Sequence, residues 1–382
     1  MREYFLIFVV AGAITYFTTP LVRALAVATN AFTPVRERDV HSTPTPRLGG
    51  VAIFLGFAAA SLVARELPYL KGVYSGGQIS GVLMGAAIVC LVGAIDDIRE
   101  LDWLTKLAGQ ILAAGVMAYK GVVLLAIPLF GTSTVLPSAV LVAVTVIVVL
   151  ATANAVNFID GLDGLAVGVV AIAAFAFFIY SYYVSASYNP PNVFSNATFI
   201  CAAVLGCCIG FLPHNFHPAR LFMGDSGALL LGFTLATLSV QGLLKTAATV
   251  ALFFPLLVLA VPIVDTSFVL AKRLKHGRPL YEADRTHLHH RFTNIGFSQT
   301  RAALYMYAWC AILAGAALAT RFIPFRAHGV WHLWPTLAVA LIGLAALATS
   351  VYIVYLLEIV KLANPRIRRR EEAARQRERK TA

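Results

Sequence analysis

Long apolar runs, each ended by a short polar stretch, fill the chain up to about position 357. The runs do not alternate apolar and polar positions as half-buried strands do, and many reach the ~20 residues that cross a bilayer as a helix. This pattern predicts an all-α, polytopic integral membrane protein with about 11 transmembrane helices. The predicted spans are residues 4–27, 48–65, 79–95, 103–120, 135–153, 162–186, 196–212, 226–243, 249–271, 301–320 and 331–357.

The composition supports this fold class, because 13% of the residues are charged, compared with about 25% in soluble domains. We interpret the first apolar run as a span and not as a cleavable signal peptide. We expect one transmembrane domain with cytoplasmic catalytic loops at residues 1–360, and a basic cytoplasmic tail at residues 361–382 that meets anionic headgroups.

The five cysteines form no CxxC pair, which argues against a disulfide framework. Glycine pairs such as Gly206 and Gly210 predict close helix packing.

The positions of Lys and Arg predict the orientation. With the N-terminus outside, the cytoplasmic segments hold 23 of these residues and the outer segments hold seven. Since cytoplasmic loops are enriched in Lys and Arg, this asymmetry predicts N-out, C-in. Four polar islands then face the cytoplasm together, and ionisable residues that a bilayer disfavours indicate a functional site there. The islands are Asp96–Asp97, Asn154–Asp163, His214–Asp225 and His276–Arg291.

The first island ends the third predicted span. Adjacent carboxylates on one helix point about 100° apart, so Asp96 and Asp97 cannot chelate one ion as a simple pair. One can face a metal or phosphate while the other acts as a base or holds Lys106. A helix cap or interfacial pair before the fourth span is the alternative that the sequence leaves open.

The second island repeats a polar residue every third position in NAVNFIDGLDGLAVG. On a helix this spacing winds slowly round one face, so the side chains of Asn154, Asn157, Asp160 and Asp163 can converge on one ligand. Two amides and two carboxylates at the end of an apolar span are hard to explain as packing alone.

The third island places Asp225 between two glycines in LFMGDSGALLLGF. A carboxylate at a helix start suits Mg²⁺ that is held beside phosphates. We interpret His214 and His217 of this island as interfacial histidines.

The fourth island contains THLHHR, and Arg and His bind diphosphates. Zinc is the weaker alternative for its histidines, because no further ligand is obvious. The first cytoplasmic loop adds more basic residues, as an ordered flap or as a connector. Its residues are Arg36, Arg38, His41 and Arg47.

From about Arg36 to Phe297, these strings in this order resemble the polyprenyl-phosphate N-acetylhexosamine-1-phosphate transferases. That integral membrane superfamily has a WecA-like branch, which serves envelope polysaccharides, and an MraY-like branch, which serves peptidoglycan. NAVNFIDGLDGLA and LFMGDSGALLLG carry the resemblance, and THLHHR resembles the polysaccharide branch. Ala228 departs from the family pattern, in which a small hydroxyl residue is common.

The resemblance implies transfer of a sugar phosphate from UDP-N-acetylhexosamine to polyprenyl phosphate with release of UMP, and Mg²⁺, or Mn²⁺ in its place, as cofactor. It implies a bacterial cell membrane location with a cytoplasmic active site and no nucleic acid partner. It leaves a homodimer open. We expect UDP-N-acetylglucosamine as the donor, with another UDP-N-acetylhexosamine, such as the galacto epimer or a deoxy sugar, as the alternative.

The resemblance also implies roles for particular residues. Asp163 would accept a hydrogen bond from the uracil imide, and Phe222 would stack on the base. Asp96 or Asp97 would act on the lipid phosphate. The implied catalytic residues are Asp96, Asp97, Asp160 and Asp225, with Asp225 and Asp97 as metal ligands. The implied substrate-binding residues are Lys106, Asn154, Asn157, Asp163, Phe222, His287, His289, His290, Arg291 and Arg47.

Three other functions compete with this one. A phospho-N-acetylmuramoyl-pentapeptide transferase would have the same motifs with a different donor. An intramembrane prenyltransferase would explain the acidic islands but not GDSG or HLHH. A transporter would place ionisable residues near mid-membrane, whereas only Asp265 lies clearly inside a predicted span. Release of UMP from a UDP-sugar that requires added polyprenyl phosphate separates the sugar-phosphate transferases from the prenyltransferase and the transporter.

The predicted orientation can be tested with single introduced cysteines. We expect a cysteine at Ser42, Arg99, Phe158 or Thr286 to react with an impermeant thiol reagent only from the cytoplasm. We expect one at Ser75 or Asn192 to react only from outside. Labelling of Phe158→Cys and Ser75→Cys from the same face would contradict a single cytoplasmic site.

Overall fold

The computed structural model describes residues 1–33, 44–74, 76–124, 127–129, 132–134, 137–187, 195–243, 297–323, 326–327 and 330–363. Ten α-helices lie within these residues. They are α1 (Arg2–Ala28), α2 (Gly49–Glu66), α3 (Gln78–Arg99), α4 (Trp103–Tyr119), α5 (Ser138–Ile159), α6 (Leu165–Ala186), α7 (Asn196–Asn215), α8 (Gly224–Leu243), α9 (Gln299–Phe322) and α10 (Leu333–Ala363). A 3₁₀ turn and two short antiparallel hairpins connect some of them, at Lys71–Tyr74, Ile127–Leu129 with Thr132–Thr134, and Arg326–Ala327 with Val330–Trp331.

These helices confirm the predicted all-α, polytopic membrane fold. Each predicted span coincides with one of α1 to α10 except the span at residues 249–271, which lies outside the described residues. Eight of the described helices are long and apolar enough to cross a membrane. The other two are α4, which has 17 residues, and α8.

Helix α8 lies at the centre of the bundle. It packs against α2, α3, α5, α6 and α7, and every residue from position 226 to 241 is buried. Because protein covers it on all sides, α8 can carry polar residues that would be costly against lipid. Thr234, Thr237 and Ser239 donate their hydroxyl hydrogens to backbone carbonyls of the preceding turn. The hydroxyl groups of these three residues are therefore paired within the buried helix.

Glycines allow α2 and α3 to touch the beginning of α8. A Cβ atom added at Gly50 would lie 2.1 Å from the backbone nitrogen of Gly227. One added at Gly93 would lie 2.5 Å from the Cα atom of Ser226. The backbones therefore meet directly, as small residues permit in membrane bundles. This contact brings the ends of three helices together at the site described below.

The predicted glycine contacts also hold elsewhere in the bundle. Helices α1 and α7 pack closely because Gly206 faces the carbonyl oxygen of Phe8 and Gly210 faces that of Gly12; an added Cβ atom would lie 2.2 Å from either oxygen. All five cysteines are buried and none is in a disulfide. The tail prediction for residues 361–382 falls almost wholly outside the described residues.

The contact between α2 and α8 leads to a stability prediction. Gly50→Ala should lower the free energy of unfolding by roughly 1–3 kcal/mol, since the new methyl group must push the two backbones apart. Thermal unfolding of the detergent-solubilised protein, followed by tryptophan fluorescence, measures the change. Gly115→Ala is the matched control, because an added Cβ atom there meets nothing within 4 Å. Equal melting temperatures for the two variants would contradict the prediction.

Candidate active site

The first and third islands meet at the N-terminus of α8. Asp97, near the end of α3, is buried, and its two carboxylate oxygens accept the backbone N–H groups of Asp225 at 2.9 Å and Ser226 at 3.1 Å. Gly224 has a positive φ of 69°, and a Cβ atom there would lie 2.4 Å from Asp97 Oδ2. Only glycine suits both the backbone conformation and this close approach. Asp97 therefore caps α8 and fixes the position of Asp225.

A cluster of three charged side chains lies beside this cap. The Lys106 ammonium is 2.8 Å from Asp96 Oδ2 and also donates a hydrogen bond to Asp225 Oδ2. Asp96 Oδ1 accepts the backbone N–H of Leu101 at 2.8 Å, which orients the carboxylate. We refer to Asp96, Lys106 and Asp225 as the charged cluster. It confirms that the two adjacent acids take different partners and that one of them holds Lys106.

The interpretation of Asp96 and Asp97 as a cap for the fourth span is wrong. The N-cap of α4 is Asp102, whose Oδ2 accepts the backbone N–H of Thr105 at 3.0 Å. The cap formed by Asp97 belongs instead to α8, far along the chain. The assignments of Asp97 as a metal ligand and of either acid as a base remain predictions, and the two backbone contacts give Asp97 a positioning role in addition.

The second island lies next to the charged cluster. Asp160 directly follows α5 and is half-buried. Burial, and then the negative charges of Asp225, Asp97 and Asp163, raise the pKa of Asp160 to about 8. Among the described residues, no hydrogen bond reaches the side chain of Asp160 or of half-buried Asn157. Two half-buried oxygen-bearing side chains surrounded by negative charge suit a cation.

The last polar residue of the island has a different environment. The side chain of Asp163 is 0% exposed, and its Oδ2 accepts the backbone N–H of Ala219 at 3.0 Å and lies 2.8 Å from His217 Nδ1. Asn215 makes a second connection between the same two loops, since its side chain accepts the N–H of Gly164 and donates to the carbonyl of Leu221, both at 3.1 Å. The contact with Asp163 therefore gives His217 a structural role that the prediction of an interfacial histidine did not include.

The end of the first cytoplasmic loop also reaches the site. Arg47 donates from Nε to the backbone carbonyl of Asp97 at 3.0 Å. Its neighbour Pro46 accepts the N–H of half-buried Phe222 at 2.8 Å, and the carbonyl of Phe222 accepts the N–H of Gly49 at 3.0 Å. Arg47 and Phe222 thus lie together at the edge of the charged cluster, as a shared binding site requires. Their contacts with substrate remain predictions.

Asn154 is placed less favourably for binding a substrate. Its side-chain amide donates to Gln110 Oε1 at 2.7 Å and to the carbonyl of Leu150 at 2.8 Å. Both hydrogens of the amide group are therefore occupied between α4 and α5. Several other predicted residues lie outside the described residues: Arg36, Arg38, His41, Asp265, His287, His289, His290 and Arg291.

Three residues at the site were not predicted from the sequence. Asn215 holds two loops together, Gln110 pairs with Asn154, and Tyr307 of α9 donates its hydroxyl hydrogen to the carbonyl of Gly164 at 2.5 Å. Asn215 stands within the HNFHPAR string, where its position beside two histidines was a usable signal. Tyr307 and Gln110 lie inside apolar helices and gave no signal of their own.

A magnesium ion binds oxygen ligands, and the site contains several side chains that could provide them. No three His, Cys, Asp or Glu side chains of the described residues converge as a ready-made metal cage. Mg²⁺ does not need one, since it usually keeps several waters and binds one or two carboxylates together with substrate phosphates. Asp225, whose side chain is 23% exposed, and Asp160 provide such carboxylates. The residues present therefore fit the ion.

Comparisons with known proteins agree with this geometry. The family described as glycosyl transferase family 4 matches residues 79–243, which include most of the site. The decaprenyl-phosphate N-acetylglucosaminephosphotransferase of Mycobacterium leprae (strain TN) is 41% identical over 345 residues, covering 86% of this chain and 86% of that protein.

Two further relatives have names that differ from this one in the lipid acceptor or the sugar donor. A probable undecaprenyl-phosphate N-acetylglucosaminyl 1-phosphate transferase of Bacillus subtilis (strain 168) is 30% identical, with 85% of each chain covered. A phospho-N-acetylmuramoyl-pentapeptide-transferase of Desulforudis audaxviator (strain MP104C) is 33% identical, covering 82% of this chain and 95% of that protein. These similarities, which extend over most of the chain, confirm the resemblance that the motifs carried, and the chain belongs to glycosyl transferase family 4.

Proposed function

We propose that this protein transfers N-acetylglucosamine 1-phosphate from UDP-N-acetylglucosamine to polyprenyl phosphate and releases UMP. The observation that carries the proposal is the charged cluster at the N-terminus of α8, held by a buried carboxylate where several membrane helices end. The 41% identity to a decaprenyl-phosphate N-acetylglucosaminephosphotransferase supports this donor and acceptor. The lower identity to a pentapeptide transferase favours the polysaccharide branch.

The proposed reaction is a direct displacement. An oxygen of the lipid phosphate attacks the sugar-linked phosphorus of the donor, a new P–O–P bond forms, and the bond to the bridging oxygen of UMP breaks. The lipid phosphate is already a nucleophile, so the site needs mainly to position two anions and to balance their charge. Lys106 provides a fixed positive charge there, and Asp96 holds it in place.

Magnesium is part of the proposal. When bound, Mg²⁺ would neutralise the charge that develops on the phosphate oxygens. Asp225 and Asp160 would hold it, because both residues are partly exposed and the negative charges of Asp225, Asp97 and Asp163 surround Asp160. Asn157, whose side chain makes no hydrogen bond among the described residues, would contact a phosphate or a metal-bound water.

The acceptor would reach the charged cluster along α4. Trp103 and Leu104, at the beginning of this helix, are more than half exposed, and Lys106 follows within one turn. Tryptophan is enriched at membrane–water interfaces, where a lipid phosphate also lies. We place the site at the cytoplasmic face of a bacterial cell membrane, since the Lys and Arg count favours that orientation.

Replacing the proposed metal ligand tests the mechanism. Asp225→Asn should reduce turnover by at least about a thousandfold while the protein still folds, because an amide is a poor Mg²⁺ ligand and leaves phosphate charge uncompensated. Release of UMP from UDP-N-acetylglucosamine with added polyprenyl phosphate measures the activity. Chelation of Mg²⁺ should abolish activity of the unaltered chain.

Asp102→Asn is the matched control for this variant. Asp102 is a nearby carboxylate that caps α4, and Asn is an equally good N-cap, so activity should stay near that of the unaltered chain. Near-normal turnover of Asp225→Asn at ordinary Mg²⁺ concentrations would indicate that another carboxylate binds the metal. Asp96 and Asp97 would then be the next candidates.

The donor is tested by direct competition. Purified protein with polyprenyl phosphate should transfer sugar phosphate from UDP-N-acetylglucosamine and not from UDP-N-acetylmuramyl pentapeptide. The segment from Lys272 to Arg301 is short and leaves little chain for recognising a peptide stem. Radiolabel that enters the lipid phase from each donor measures the preference. Efficient transfer from the muramyl pentapeptide would contradict the proposed donor but not the proposed class of reaction.

A further inference from the structure

We propose that Gln110 is a positioning residue for the transfer, because it holds α4 against α5 through Asn154 and thereby fixes the place of the Lys106 ammonium. The inference rests on the proposed function, in which Lys106 balances the charge of two phosphate groups. Gln110 does not touch the substrates in this assignment. It acts through the two helices that carry Lys106 and the second polar island.

Gln110 is the first buried residue of α4. None of the residues from Trp103 to Gly109 is buried, whereas Gln110 has 2% of its surface exposed. A buried amide is costly unless it is paired, and polar residues within membrane helices are usually kept for a function. The beginning of α4, which carries Lys106, therefore gains its first buried contact at Gln110.

The hydrogen bonds of Asn154 determine which atom of Gln110 faces it. Asn154 Nδ2 donates to the carbonyl of Leu150 at 2.8 Å and to Gln110 Oε1 at 2.7 Å. Since a backbone carbonyl only accepts hydrogen bonds, the nitrogen of the Asn154 amide must lie on this side, and Gln110 must present its oxygen. The bond between α4 and α5 thus depends on one acceptor, which a methionine of similar shape lacks.

The amide pair of Gln110 and Asn154 lies about one helical turn away from the side chains of the site. Gln110 follows Lys106 by four residues, on the same face of α4. Asn154 precedes Asn157 by three residues, on the same face of α5. The site lies at the beginning of α4 and at the end of α5, so a bond roughly 5 Å from it along both helices fixes how the two helices are aligned. The position of Lys106 relative to Asn157 depends on this alignment.

The place of the Lys106 charge matters because its partners belong to other helices. The ammonium is 2.8 Å from Asp96 Oδ2 at the end of α3, and it also contacts Asp225 at the beginning of α8. A lysine ammonium is a compact charge on a flexible stem, so the helix must hold the base of that stem. A displacement of about 1 Å at a reacting centre can reduce the rate by about a hundredfold. A shift of α4 would therefore lower turnover without unfolding the bundle.

The first measurement separates kcat from KM. Release of UMP from UDP-N-acetylglucosamine with added polyprenyl phosphate is followed for the full-length protein in detergent, and thermal unfolding gives the folded fraction. Gln110→Met should lower kcat about tenfold to a hundredfold, because a displaced Lys106 stabilises the transition state less well. KM for both substrates should stay within about twofold of that of the unaltered chain. An unchanged kcat would overturn the assignment.

Gln78→Met is the matched control. Gln78 Oε1 accepts the side-chain amide of Asn196 at 2.6 Å, which is the same kind of bond, but Gln78 begins α3 whereas Asp96 and Asp97 lie near the end of that helix. This variant should lose a similar amount of stability with kcat unchanged. An equal loss of kcat in Gln78→Met and Gln110→Met would overturn the assignment, since any broken amide pair would then lower activity.

A double variant tests whether Gln110 acts through Asn154. Gln110→Met and Asn154→Leu break the same bond, so together they should lower kcat no further than the more damaging single change. Losses that multiply would overturn the assignment, because the two residues would then act independently. If Gln110→Met yields no folded protein, Gln110→Asn takes its place, since its amide is one methylene shorter. Failure of the unaltered chain to release UMP would instead remove the proposed function itself.

Discussion

The beginning of α8 presents backbone N–H groups inside the bundle, and the carboxylate of Asp97 satisfies two of them. The first N–H groups of any helix lack partners within it, and the positive end of the helix dipole favours an anion there. A buried carboxylate is costly unless it is paired, so this contact stabilises both partners at once. It also joins the end of α3 to the start of α8. Without it, neither Asp225 nor its distance from Lys106 would be fixed.

Around that contact the polar groups fall into two neighbouring sets with different properties. The charged cluster combines Lys106 with the partly accessible carboxylate of Asp225 and the buried carboxylate of Asp96, which suits the transfer of charged groups. The loops between α5 and α6 and between α7 and α8 are instead joined by the side chains of an asparagine and a histidine, together with a carboxylate that has no exposed surface. A substrate with a diphosphate at one end and a base at the other matches this division, since charge compensation and base selection make opposite demands on solvent access.

The sequence predicted much of this arrangement, because the arrangement follows from the lengths of the apolar runs and from local motifs. The spans, the meeting of the first three islands and the pairing of Asp96 with Lys106 all follow from helix length, from charge and from the side on which each loop lies. The cap of α8 by Asp97 did not, because a contact of a side chain with the backbone of a distant helix leaves no periodic pattern. Tyr307 shows the same limit, since its hydroxyl reaches Gly164 from a helix that is otherwise apolar. The sequence did not predict the contact between His217 and Asp163, because the two residues belong to different islands.

The burial of all five cysteines has a practical consequence for handling the protein. Thiols in apolar surroundings react slowly, since the thiolate form is disfavoured and reagents cannot reach the sulfur. Mild oxidants and alkylating agents should therefore leave the native chain chemically intact. Any thiol that does become modified reports that helices have separated at its position. Because Cys90, Cys201, Cys207, Cys208 and Cys310 are distributed over α3, α7 and α9, the order in which they react would trace the order in which the bundle comes apart.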